Sequence, residues 1–287
     1  MVIAEAGLGD ALVDVGRWAA ILGAGFWAGM INVVVGSGTL VSFPVLVLCG
    51  YSPLVANISN NIGLVGGGLS GTIGYRRELR RNAGLARVLL PASLTGGVVG
   101  ASLLLVLPAE AFRTIVPALI AVGLLMVVAG PFVQRAAARR AEAAPAAGTA
   151  AEAGSGSEAG AAGGYPAGRR VALVGALGVI GVYGGYFGAA QGILVVGLLS
   201  ILTSESLQSV NAVKNLLVTA VNLVAAVVFM AVAWSSIDWL AVALIAVGAT
   251  LGGVVGARVG RRLPPRLMRG LIVAIGTVAI VNLVFFS

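Results

Sequence analysis

Residues Trp18 to Gly50 carry no charged side chain. One helix over these 33 residues would be about 50 Å long, against a bilayer hydrocarbon about 30 Å thick. A single straight crossing does not fit. The run holds its own break at Gly36-Ser37-Gly38, so it reads as a hairpin of two shorter helices, with Ser37 or Thr39 capping the second. Irregular backbone at membrane depth is tolerated where it faces protein or a cavity.

Composition makes the membrane reading general. Of 287 residues, 59% are hydrophobic and 10% charged, with mean hydropathy +1.04. Several uncharged runs exceed the length of a crossing, and abundant glycine suits closely packed transmembrane helices. A net charge of +8 does not point to nucleic acid, because the arginines sit in short loops beside apolar segments, where they set topology. Glu5, Asp10 and Asp14 precede Arg17, so the chain is not expected to open on a signal peptide. Cys49 stands alone and histidine is absent; neither a disulfide framework, a metal site nor a cofactor is expected.

Taken in order, Leu54–Tyr75, Leu85–Leu107 and Phe112–Val133 read as the remaining crossings of a first repeat, residues 1–134. Residues 135–170 change to Ala, Gly, Ser, Pro and Glu and read as a flexible linker. The second repeat, residues 171–287, opens on a 34-residue uncharged run, Val171–Ser204, interrupted near Gly188–Gly192. Leu207–Val232, Ile237–Val259 and Leu271–Phe286 follow. Gly96-Gly97-Val98-Val99-Gly100-Ala101 matches Gly252-Gly253-Val254-Val255-Gly256-Ala257, so a duplication is the economical explanation.

Arginine placement orients the halves. The loop after the second element holds Arg76, Arg77, Arg80, Arg81 and Arg87 in the first half and no arginine in the second. The loop after the third element reverses this, with Arg113 alone in the first half and Arg258, Arg261, Arg262, Arg266 and Arg269 in the second. If both long runs are hairpins that return to their starting side, the second repeat is inverted. Then 15 of 18 basic residues face the cytoplasm, Arg17, Arg113 and Lys214 excepted. The expected architecture is all-α, with two inverted-topology repeats, each a broken-helix hairpin plus three transmembrane helices. The linker is expected to be cytoplasmic and both termini external, in the cell membrane.

The chemistry converges on the stretch Gly25–Asn61 and its weaker copy 154 residues on. Asn57, Asn60 and Asn61 share a helical face, as do Asn211, Lys214 and Asn215, with Asn222 near the same face. Gly192 corresponds to Gly38, while Ala190 and Gln191 stand where the first half has Gly36 and Ser37. The half-helix N-termini after Gly38 and Gly192 offer free N–H groups to an anion, and Lys214 is the only lysine. The candidate substrate-binding residues are therefore Ser37, Gly38, Thr39, Asn57, Asn60, Asn61, Gln191, Gly192, Asn211, Lys214 and Asn215. The plainer readings are asparagine as interhelical glue, glycine as a close-packing site and a lysine that snorkels to the surface. Recurrence of break, polar face and spacing in both halves favours a site.

The run AGFWAGMINVVVGSGTLVSFPVLVLCGYSPLVANISNNIG, its GYRREL exit and the second copy around VNAVKNLL resemble the sulfite exporter TauE/SafE family of membrane transporters. The likeness covers both halves apart from the linker and the first fifteen or so residues. It implies movement of sulfur-containing anions, such as sulfite or organosulfonates, by alternating access around a midplane site. The partners it implies are a small anionic substrate and the lipid bilayer; a homo-oligomer is compatible with the sequence. The alternatives are a transporter of non-sulfur organic anions and an intramembrane Ser/Lys hydrolase using Lys214 as base. The second lacks any histidine, intramembrane carboxylate or hydrolase motif. A cation transporter would want carboxylate, thiolate or imidazole ligands in the membrane, and the spans supply none.

Overall fold

The computed structural model describes residues 2–143, 166–203, 205–259 and 265–285, and among these all regular structure is helical. The order is α1 (Val2–Val34), α2 (Thr39–Leu48), α3 (Pro53–Gly74), α4 (Arg76–Arg81), α5 (Ala83–Val106) and α6 (Ala109–Ala143). Then come α7 (Ala167–Tyr186), α8 (Gln191–Leu202), α9 (Leu207–Val232), a 3-10 turn (Trp234–Ser236), α10 (Trp239–Val259) and α11 (Pro265–Phe285). Six are long and apolar enough to cross a membrane: α1 from Val13, α5, α6 to Phe132, α7, α9 and α10. The 22-residue α3 falls outside this set because its sequence spends positions on Asn57, Asn60, Asn61 and glycine. At 10 and 12 residues, α2 and α8 are about 15 and 18 Å long, too short to span.

Both long uncharged runs break. At the end of α1 the N–H groups of Val35 and Gly36 donate to Ile31 O, at 2.7 and 3.0 Å, and Gly36 takes φ +88°. At the end of α7 Phe187 and Gly188 donate to Tyr183 O, both at 3.0 Å, and Gly188 takes φ +74°. Each is a left-handed C-terminal turn that glycine enters without a Cβ penalty. The match therefore pairs Gly36 with Gly188, 152 residues on, and the first residue of α2, Thr39, with that of α8, Gln191. The spacing of 154 returns at α3 and α9 because α8 is two residues longer than α2. So the sequence pairing of Gly38 with Gly192 slips by two residues at the break itself. The capping expectation is also corrected. Gly38 is the N-cap of α2 and Ala190 that of α8, and neither receives a side-chain cap.

Elsewhere the boundaries shift modestly. The arginine loop at 76–81 is itself the helix α4, and Arg87 lies inside α5. Helix α6 runs on to Ala143 and α7 opens at Ala167. Helix thus occupies both ends of the segment read as a linker, whose residues 144–165 lie outside the described residues. Ser52 and Ser206 cap α3 and α9 by accepting from Val55 N and Ser209 N.

Glycine sets the packing. Helices α1 and α10 lie parallel, Gly25 against Ile245 and Gly29 against Ala249. Helices α7 and α5 do the same, with Gly96 against the Gly178 carbonyl and Gly100 against that of Val182. The matched residues of the other pair are Gly252 against Phe26 and Gly256 against Met30. Helix α3 runs parallel to α10, with Gly67 on Ala249 and Gly74 on Ala257. It runs antiparallel to α9: Asn61 meets Asn222, Gly68 meets Thr219, and Tyr75 packs with Ala212. Helix α2 lies against α11 and α8 against α6. Each half thus packs its first two elements on the third and fourth spans of the other.

Candidate functional site

The two breaks touch. Gly192 N–H donates to Gly36 O at 3.0 Å, and a Cβ on Gly36 would stand 2.6 Å from Gly192 Cα. Only a residue without a side chain allows the two chains to approach this closely. Around this contact lie the C-terminal ends of α1 and α7, the starts of the short helices α2 and α8, and the polar faces of α3 and α9.

Those faces hold the broken ends in place. Lys214, fully buried on α9, donates from Nζ to Val33 O at 2.8 Å and Asn32 O at 3.0 Å, the last carbonyls of α1. Helix ends leave such carbonyls unsatisfied and carry partial negative charge, so an ammonium fits there. Asn57 on α3 does the equivalent work for the other half, donating from Nδ2 to Tyr186 O at the end of α7, at 3.0 Å. Each half's polar helix therefore secures the other half's broken helix. Lys214 does not snorkel to the surface, and its ammonium meets a carbonyl end rather than the N-termini of α2 or α8.

The remaining candidates divide. Asn60 accepts from Ser42 Oγ and so ties α3 to α2 within one half. Asn61 donates from Nδ2 to Asn222 Oδ1 across the halves, at a long 3.5 Å. Thr39 is buried at the start of α2, and the Gln191 amide lies over Gly184 of α7. Asn211 is not brought in: it is partly exposed and its amide donates to Leu207 O of its own helix, at 2.9 Å. Sequence reasoning left out Ser42, the single polar side chain in the middle of the apolar run of α2, and Thr219, which donates to Asn215 O and meets Thr72 Oγ1 at 3.2 Å. Asn222, named from its spacing as near the polar face of α9 though not among the candidates, is buried and accepts from Asn61.

Four buried polar atoms of the candidate set have no hydrogen-bond partner among the described residues: Ser37 Oγ, Asn61 Oδ1, Gln191 Oε1 and Asn215 Nδ2. Leaving such groups unpaired costs about 1–3 kcal/mol each, so each calls for a partner such as a bound water or ligand. The chemistry available is that of neutral donors and acceptors around one cation. No carboxylate or imidazole stands among these side chains.

The comparisons fit this geometry. A family profile, Sulfite exporter TauE/SafE, matches residues 21–283, from within α1 to within α11. The chain belongs to this family. The matched region contains both breaks and both polar helices. The protein is thus a TauE/SafE family member whose described residues include six helices long and apolar enough to cross a membrane. A curated relative, "Probable membrane transporter protein ORF9" of Sinorhizobium sp, is 32% identical over 98 residues. That stretch is 34% of this chain and 37% of the relative. No solved structure matches the chain.

Proposed function

We propose that this TauE/SafE protein carries small sulfur-containing anions, sulfite or organosulfonates, across the cell membrane by alternating access around the junction of the two breaks. The observation that carries the reading is the set of unpartnered polar atoms on the two breaks, Ser37 and Gln191, and on the polar faces of α3 and α9, Asn61 and Asn215, with Lys214 buried on the same α9. Ser37 Oγ–H and the Asn215 amide present donors. The Gln191 amide presents its N–H group when turned over, and Asn61 does so when Asn222 turns with it to keep their bond, since amide orientation follows the partner available. With the half-helix N-termini of α2 and α8, these would surround an oxyanion by hydrogen bonds. Lys214 supplies the positive field while it holds α1; Asn57 and Asn60, already engaged, shape the junction.

Inverted repeats supply the two-state element. What supports them is the direction of matched helices: α3 and α9 run antiparallel, and α1 and α7 each lie parallel to the other half's third span. Together with the positive-inside rule, that direction supports a cytoplasmic linker and external termini. Inside-negative potential then drives an anion outward by about 2.3 kcal/mol per charge per 100 mV, which suits export. For the hydrolase alternative, no serine among the described residues hydrogen-bonds Lys214, whose acceptors are the backbone carbonyls of Asn32 and Val33.

The test is flux in proteoliposomes across sulfite, sulfate, taurine, sulfoacetate and a carboxylic acid, with and without an imposed potential. Sulfite or a sulfonate should cross several-fold faster than in protein-free vesicles, and faster when the potential opposes its retention. Movement of the carboxylic acid alone would overturn the substrate class, and no movement of any anion would overturn the reading.

A further inference from the structure

Beside the arginine-bearing helix α4 lies a second feature that the junction does not use. A cavity of about 650 Å³ opens between the ends of α3 and α10, with Arg76, Arg77 and Arg258 among its lining residues. Glu78 is the one carboxylate in that lining, which leaves a net of two positive charges. The cavity wall is also apolar, formed in part by Ile73, Val254 and Ala257.

What gives the cavity a direction is the surface beneath it. On α3, exposed Leu69 and Ile73 lie four residues apart and lead to Arg77. On α10, exposed Val247 and Leu251 lead through Val254 to Arg258. Because α3 and α10 run parallel, with Gly74 beside Ala257, both stripes run toward the end where Arg76 and Arg77 of α4 and Arg258 of α10 line the cavity. A groove that is aliphatic along its length and cationic at one end has the polarity of a lipid with a negatively charged head. A small hydrophilic anion would use the arginines but leave the apolar wall uncovered.

We propose that this groove is a binding site for one anionic phospholipid, its phosphate held by Arg76, Arg77 and Arg258 and its acyl chains along α3 and α10. The inference is independent of the transported substrate and of which side of the membrane α4 faces. Since α10 also packs on α1 and α3, the lipid would brace helices of both halves at once.

Native mass spectrometry of the full-length protein tests this, with added dioleoyl phosphatidylglycerol or dioleoyl phosphatidylcholine. Wild type should retain the anionic lipid at least about tenfold better than the zwitterionic one, given roughly 1 kcal/mol per basic residue near a charged surface. The variant R76Q/R77Q/R258Q should lose that preference, while R80Q/R81Q, whose arginines do not line the cavity, should keep it. Where the triple variant does not stay monodisperse, R258Q alone should weaken retention about fivefold. The proposal fails if both lipids are held equally, if R80Q/R81Q loses as much as the triple variant, or if R258Q retains lipid like wild type. It also fails if millimolar glycerol phosphate or sulfite displaces the lipid, for the site would then recognise a free anion.

Discussion

Lys214 shows how one side chain can look different in sequence and in the fold. Read along the helix, it is a lone charge on a polar face. In the fold it is a cap, donating to Asn32 O and Val33 O where α1 stops. Bonds from a charged donor contribute about 1.5–3 kcal/mol each. Lys214→Met should therefore lower resistance to denaturant by about 3 kcal/mol, since two buried carbonyls lose their donor. Lys214→Arg should restore only part, because a planar guanidinium does not fill the place of a compact ammonium. Unchanged stability of Lys214→Met would contradict the capping role. The asparagine faces were legible from i, i+3, i+4 spacing, and Asn57, Asn60, Asn61 and Asn215 are all buried. That Asn211 turns back on its own helix was not legible, because spacing gives a direction and not a neighbour. The carbonyls of Asn32, Val33 and Tyr186 were equally invisible: any residue type carries the same backbone acceptor.

At the scale of elements, the broken hairpins follow from length and glycine. A run too long for one crossing, with glycine inside, has to turn, and both runs do. The two-residue slip at the second break came from a difference in helix length, 10 against 12 residues, which a constant offset cannot register. It also explains why Ala190 and Gln191 looked out of place: the glycine that matches Gly36 is Gly188. Gly36 and Gly50 give a controlled comparison, since both hold left-handed φ, +88° and +89°. Gly50 has nothing within 4 Å of an added Cβ, whereas Gly36 has the Gly192 backbone at 2.6 Å. Gly50→Ala should cost about 1–2 kcal/mol, the strain of a side chain in that region. Gly36→Ala should cost clearly more, or prevent accumulation of folded protein. Equal effects in a thermal-denaturation series would mean that the breaks do not touch.

For the whole molecule, the economy lies in exchange: each half leans on the other. The matched glycines of α5 and α10 were visible as a repeated motif, but that they face α7 and α1 of the opposite half needed three dimensions. Orientation can be measured directly. In a background with Cys49 replaced, a cysteine at Ser235 should react with an impermeant maleimide added to intact cells, and one at Arg80 should not. The reverse pattern would contradict the cytoplasmic placement of α4, and labelling of both from outside would contradict the inverted arrangement.

The most direct measurement of the central claim is initial sulfite flux in proteoliposomes for three proteins: wild type, Asn215→Ala and Asn211→Ala. The two asparagines lie four residues apart on α9, yet Asn215 Nδ2 is buried without a partner among the described residues and Asn211 is bonded to its own helix. If the junction of the breaks binds the anion, Asn215→Ala should cut flux by about tenfold, the loss of one hydrogen bond of roughly 1–3 kcal/mol. Asn211→Ala should match wild type. Full flux in Asn215→Ala, or an equal loss in Asn211→Ala, would contradict a substrate site at this junction.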